Sequence, residues 1–155
     1  MGGRIEAQLK SQGVSLPQAA APAANYVAFV RSGNLLFVAG QLPVGGDGKI
    51  AQIGKLGAGV SIADGAAAAQ LCAINILAQV KAATGDLDKV VRCVKLGGFV
   101  NCTAEFGEHP KVVNGASDLM VAAFGENGRH ARFAVGAPSL PFNACVEIDA
   151  VFEIE

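Results

Sequence analysis

Two apolar segments near the C-terminus, 131–135 and 145–152, have the composition of β-strands, yet each has charged residues inside it. Successive strand residues point to opposite faces of a sheet, so such charges must lie on a solvated or a functional face. The turn-forming residues of segment 136–143 predict that the two strands pair as an antiparallel hairpin. A symmetric hairpin would place Arg132 directly across from Glu147 on one face of the sheet.

This pairing of Arg132 with Glu147 has two interpretations. One is a cross-strand ion pair on a solvated face, the commoner role of such pairs, which adds little stability. The other is a binding wall, in which a guanidinium and a carboxylate are held ready for a ligand. At the level of these two residues both interpretations stay open.

The remaining patterns predict a single domain over residues 1–155. One long helix is expected from Ser61 to Gly85, and a second after His109-Pro110, through Phe124. The other expected elements are a short helix within 1–13, a linker over 14–25, a hairpin of strands 26–30 and 35–39, a strand over 90–100 and the two C-terminal strands. This order is typical of an α+β fold with two main helices on one face of a sheet.

The other face of such a sheet needs a cover. The residues assigned to it are Arg132, Ala134, Cys145, Glu147, Asp149 and Val151. This set is too apolar for a free surface and too charged for a core, which favours a subunit interface lined with a polar pocket. Charged residues make up only 16% of the chain, against about 25% in an average soluble domain, so an oligomer is expected.

Composition argues against several classes of function. The net charge is −1 and the basic residues form no cluster, so nucleic-acid binding is not expected. The chain shows no membrane-insertion or signal-peptide pattern, which predicts a cytoplasmic protein. The four cysteines lack the spacing of a zinc site, so we expect buried, reduced cysteines and no structural metal.

Three further residues admit a functional role. His109 and His130 could perform acid/base cleavage of RNA, but they belong to different elements and nothing in the sequence brings them together. Tyr26, the only tyrosine, is either a partly buried ring with a satisfied hydroxyl or a ring at the edge of a pocket. The glycine-rich segments lack the spacing of phosphate-binding loops and are interpreted as turns.

A set of short motifs matches a known family. The motifs are Tyr26, the segment from Gly33 to Pro43, Val113-Asn114, Ala131-Arg132, Leu140-Pro141 and the segment from Val146 to Asp149. The chain resembles the reactive-intermediate-deaminase (Rid) family, also known as L-PSP endoribonucleases or translation inhibitors, from about Pro22 to the C-terminus.

The resemblance implies a chorismate-mutase-like α+β fold with a mixed sheet, assembled as a homotrimer with pockets between subunits. It also implies the hydrolysis of 2-imino acids to 2-oxo acids and ammonia without a cofactor. By position, Arg132 would hold the substrate carboxylate, and Glu147 would orient and deprotonate the attacking water. Gly40 and Ala134 would offer backbone groups to the substrate, whereas Tyr26 and Asn114 would line the mouth of the pocket.

The chain departs from the family pattern at several positions. Ala134 replaces a common cysteine, Ala39 replaces a small hydroxyl residue, and one extra residue lies between Asn114 and Arg132. These departures and the N-terminal helix suggest a divergent subgroup. Two alternatives therefore accompany the deaminase: a non-catalytic trimer that binds small carboxylates, and an endoribonuclease as the older family name suggests.

Overall fold

The computed structural model describes residues 3–22 and 24–155 as an α+β fold. The helices are α1 (Arg4–Ser11), α2 (Ile62–Thr84) and α3 (His109–Phe124). The strands are β1 (Phe29–Ser32), β2 (Leu35–Gln41), β3 (Lys55–Leu56), β4 (Gly59–Val60), β5 (Val90–Asn101), β6 (Ala131–Ala137) and β7 (Val146–Ile154). The predicted fold class is confirmed, although β1 begins at Phe29 and leaves Tyr26 in the preceding segment.

The main sheet is mixed and has five strands in the order β1-β2-β7-β5-β6, and β3 with β4 forms a small separate pair. The expected hairpin of β1 and β2 is present, closed by Gly33 and Asn34. The last strand of the chain, β7, lies in the centre, antiparallel to both β2 and β5. Strand β6 is parallel to β5, because α3 carries the chain back to the starting end of the sheet.

Helix α2 begins and ends where the sequence predicts, and α3 ends at the predicted Phe124 but begins at His109, two residues earlier than expected. The Ser61 hydroxyl accepts a hydrogen bond from the backbone N–H of Asp64 at 3.1 Å and caps the first turn of α2. Gly85 ends α2 with a φ of 82°, in the left-handed region that favours glycine. Pro110 lies in the first turn of α3, where its missing N–H costs no hydrogen bond.

The two helices pack on one face of the sheet, as expected. The largest side chains of the shared core are fully buried; they include Ile76, Leu77, Leu96, Met120, Ile148 and Phe152. Helices α2 and α3 also touch through their backbones, because Gly115 on α3 lies against the carbonyl of Ala66 on α2. Within the described residues, α2 is long and apolar enough to cross a membrane by length and composition alone, but core helices of soluble proteins pass the same test.

The predicted N-terminal helix is confirmed from Arg4, and the first two residues lie outside the described part of the chain. Its side chains Ile5 and Leu9 are buried in the core. The backbone N–H groups of Ile5 and Arg4 donate to the Asp88 carboxylate, and these bonds lower the pKa of that group. In the described part of the expected linker, 14–22 and 24–25, no helix or strand occurs.

The predicted hairpin of the two C-terminal strands is wrong. Strand β5 lies between β6 and β7 and pairs with both. The turn-rich segment between β6 and β7 therefore passes over the end of β5 instead of closing a hairpin. Arg132 pairs with Leu96 of β5, and Glu147 pairs with Phe99 of β5. Since positions 96 and 99 have opposite parity, Arg132 and Glu147 lie on opposite faces of the sheet.

This correction changes the expected open face, the sheet face that carries no helix. Arg132 and Ala134 belong to the helix-covered face, where Ala134 packs against the core, and Cys145 is fully buried. Glu147, Asp149 and Val151 do lie on the open face. That face also exposes a group of large apolar side chains, namely Val30, Leu35, Phe37, Phe99 and Val135.

Candidate functional site

The first half of the candidate site is a group of side chains where α3 crosses β6, here named the arginine cluster: Asn114, Ser117, His130, Arg132 and Ala134. Arg132 is half-buried, and its Nη1 donates to the Ser117 hydroxyl at 3.0 Å. Its Nη2 donates to the backbone carbonyl of Pro110 at 3.3 Å. Both acceptors are neutral, so the guanidinium is positioned without its charge being neutralised.

His130 extends this network from the other side of Ser117. Its Nδ1 lies 2.6 Å from the carbonyl of Gly128, which can only accept, so Nδ1 carries the proton. In the neutral ring Nε2 therefore accepts from the Ser117 hydroxyl at 2.8 Å, while the Ser117 oxygen accepts from Arg132. Burial lowers the pKa of His130, the positive charge of Arg132 lowers it further, and the Gly128 bond opposes both effects.

Asn114 shares a helix side, and Ala134 a strand face, with groups of the arginine network. Pro110, Asn114 and Ser117 are spaced four and three residues apart on α3, so they share one side of the helix. Arg132 contacts the first and the last of these, which places the exposed Asn114 between its two contacts. Ala134 follows Arg132 by two residues on the same face of β6.

The second half is a cavity of about 470 Å³, here named the glutamate cavity, which the Glu147 side chain enters from β7. Tyr26 and Gly40 line it as well, so three of the predicted site residues come together here. At Gly40 the pairing of β2 with β7 contains a bulge, in which Ala39 and Gly40 oppose Asp149 alone. A Cβ on Gly40 would collide with the Glu147 carboxylate, so glycine leaves the space that the carboxylate occupies.

Electrostatics distinguish Glu147 from an ordinary surface carboxylate. Burial raises the pKa of the Glu147 carboxyl above its usual value, and the nearby negative charge of Asp149 adds to the rise. The Tyr26 ring at the rim of the cavity is 51% exposed. A carboxylate with a raised pKa in a half-open cavity has the properties of a general base.

Within one chain, the arginine cluster and the glutamate cavity are separate. Strands β6 and β7 lie two strand spacings apart, about 10 Å, and the two side chains point to opposite faces. The side-chain ion pairs among residues 3–22 and 24–155 are Lys81–Glu6, Lys111–Glu108 and Arg129–Glu126. Neither Arg132 nor Glu147 takes part in them, so the interpretation as a cross-strand ion pair is wrong.

Ser117 and the Pro110 carbonyl are site groups that the sequence reasoning missed. The sequence does show that Pro110, Asn114 and Ser117 share one side of the helix. This spacing points to a site only once Arg132 is known to face α3. The two histidines do not meet: His130 bonds to Ser117, and His109 contacts Cys102. The described residues contain no group of three or more potential metal ligands.

Comparison with known proteins identifies the family. Residues 6–153 match the sequence model of a family described as "YjgF/chorismate mutase-like, putative endoribonuclease". The chain belongs to the YjgF/L-PSP, or Rid, family. The expected resemblance and the chorismate-mutase-like fold are thereby confirmed.

Relatives of this Rid-family chain resemble it over almost their whole length. Protein TCP17 of Trypanosoma cruzi is 52% identical, over 98% of this chain and 95% of that protein. The crystal structure of Atu1372 from Agrobacterium tumefaciens, a protein of unknown function, is 57% identical, with a TM-score of 0.91 over 97% of this chain and 92% of that one. A protein from Shewanella oneidensis MR-1 with the same endoribonuclease description is 36% identical, with a TM-score of 0.94 over 98% and 100%.

Proposed function

We propose that this Rid-family protein hydrolyses 2-imino acids to 2-oxo acids and ammonia, at sites formed between two copies of the chain in a homotrimer. The observation that carries the proposal is the guanidinium of Arg132, held in place by the neutral Ser117 hydroxyl and Pro110 carbonyl. A guanidinium has five N–H donors, so donors remain for a ligand. Its planar fork matches a carboxylate, which every 2-imino acid carries.

Glu147 supplies the second function that the reaction needs. The water must attack the imine carbon and lose a proton, and a carboxylate whose pKa is raised accepts that proton more readily. That proton reaches the nitrogen and gives a carbinolamine. The hydroxyl proton of the carbinolamine then moves to the nitrogen as the carbon–nitrogen bond breaks, and the products are a 2-oxo acid and ammonia. The imine carbon is already electrophilic, so an oriented water and a fixed carboxylate suffice without a cofactor.

The open face of the sheet supports assembly into a homotrimer. It exposes the side chains of Val30, Phe37, Phe99 and Val135, and Val30 is 53% exposed. Soluble monomers rarely expose a contiguous apolar patch of this kind. Since the arginine cluster and the glutamate cavity lie on opposite faces of one sheet, a site that uses both requires a second copy of the chain.

Hydrolysis can be measured by generating 2-iminopropionate with an amino-acid oxidase and following its decay with and without the protein. We expect Arg132→Ala and Glu147→Gln each to lower the rate by about 10²- to 10⁴-fold, the usual contribution of such groups. Arg132→Lys keeps the charge but loses the fork, so it should restore little activity. If wild type does not accelerate the decay, or Arg132→Ala matches wild type, the proposed activity is wrong.

Two alternatives make different predictions. A non-catalytic carboxylate-binding trimer, suggested by Ala39 and Ala134, would bind 2-oxo acids in calorimetry without turnover of the imine. An endoribonuclease, suggested by the family description, would cleave RNA and lose that activity in His130→Ala. The second alternative has less support, because His109 and His130 bond to separate partners.

A further inference from the structure

A second chemically competent pair lies at the carboxyl end of β5. The sulfur of Cys102 is 3.4 Å from Nε2 of His109, the first residue of α3. Cys102 is partly exposed, and both side chains line a cavity of about 330 Å³, the thiol cavity, whose walls include Phe106, Ala137 and Pro138. That volume is at the lower end of the range for small-ligand pockets.

The surroundings hold the two side chains together. The ring of Phe106 packs edge-on against the imidazole of His109, with centroids 5.3 Å apart. A Cβ on Gly136 would lie 2.8 Å from the Cys102 sulfur and 2.9 Å from His109 Nε2. Glycine at this position of β6 therefore leaves the space that the thiol–imidazole contact occupies.

The other cysteines differ from Cys102 in their exposure. Cys72, Cys93 and Cys145 are fully buried. Burial raises the pKa of Cys93 to about 12 and that of Cys145 to about 11, and it raises the pKa of Cys72 well above its usual value. These thiols stay protonated and shielded, and thus provide an internal reference.

We propose that Cys102 and His109 form a nucleophilic pair that covalently captures small, uncharged α,β-unsaturated carbonyl compounds. His109 Nε2 takes the thiol proton, and Sγ forms a bond to the β-carbon of the electrophile. The electron pair of the carbon–carbon double bond moves to the α-carbon, which takes the proton back from the imidazolium. The product is a thioether, with no leaving group and no oxidant. The apolar walls of the thiol cavity favour uncharged compounds.

This pair is independent of imine hydrolysis, because it uses neither Arg132 nor Glu147. The test uses N-ethylmaleimide, an uncharged electrophile of this class, on the native protein near neutral pH. Maleimide absorbance gives the rate, and peptide mapping by mass spectrometry gives the position. We expect one rapid adduct, on Cys102, formed faster than the same adduct in the chain unfolded in urea. Slower reaction in the native protein, or first reaction at another cysteine, overturns the proposal.

Variants test the role of His109. His109→Gln keeps a polar side chain but cannot accept the proton, so the alkylation rate of Cys102 should fall by at least about tenfold. Gly136→Ala should slow it as well, by separating the pair. His130→Gln is the matched control: it removes a histidine bonded to Ser117 and should leave the rate unchanged. An unchanged rate in a folded His109→Gln protein, judged by its thermal unfolding, refutes the pairing.

Discussion

A site shared between two chains predicts that two inactive variants restore each other. Arg132→Ala retains the glutamate cavity, and Glu147→Gln retains the arginine cluster. These residues lie on opposite faces of one sheet, so in the proposed homotrimer each site would take its arginine from one chain and its glutamate from the next. In trimers assembled at random from equal amounts of the two variants, a site has an intact Arg132 with probability one half and an intact Glu147 with probability one half. About a quarter of the sites are therefore complete.

The assay is imine decay after the two variants are unfolded together in urea and refolded. We expect about a quarter of wild-type activity, against a loss of about 10²- to 10⁴-fold for either variant refolded alone. Different affinity tags on the variants allow mixed trimers to be selected, in which one site of three is complete, so activity should rise to about a third. If mixed trimers are as inactive as the separate variants, Arg132 and Glu147 do not act together across a subunit boundary.

Three further predictions concern stability and assembly. Gly115→Ala should lower the free energy of unfolding by about 1–3 kcal/mol in urea titrations, because its Cβ would collide with the Ala66 carbonyl, whereas Gly107→Ala, with open space around it, should change little. The pKa of His130 is lower in the folded than in the unfolded chain, so unfolding free energy should fall as pH drops below about 6.5, and the fall should be smaller in His130→Gln; equal slopes would contradict this. Phe99→Lys places a charge on the open face and should reduce the mass measured by light scattering from that of the proposed trimer to that of a monomer, and an unchanged mass would place the interface elsewhere.

The sequence predicted the local elements well because their signals are local. Ser61 and Gly85 mark the ends of α2, Pro110 marks the start of α3, and Gly33-Asn34 closes the first hairpin. Each signal acts within a few residues, through a hydrogen bond or a permitted backbone angle. Such signals fix where an element begins and ends, whatever packs against it later.

The strand order could not be predicted in the same way. The turn-rich segment before β7 indicates a reversal of chain direction, but it does not show whether the returning strand pairs with β6 or crosses to the far side of β5. That choice depends on which apolar strands fill the centre of the sheet, which is a long-range property. The predicted alternation of side chains within each strand was correct. Arg132 and Glu147 nevertheless lie on opposite faces, because each pairs with a residue of β5 and not with the other strand.

The central place of β7 has a consequence for how the chain is made. The hairpin of β1 and β2 and the crossover unit of β5, α3 and β6 can each form from contiguous sequence, but only the last strand joins them. During synthesis, the edges of β2 and β5 that pair with β7 stay unpaired until residues 146–154 have left the ribosome. Removing residues 146–154 would therefore divide the sheet into these two units.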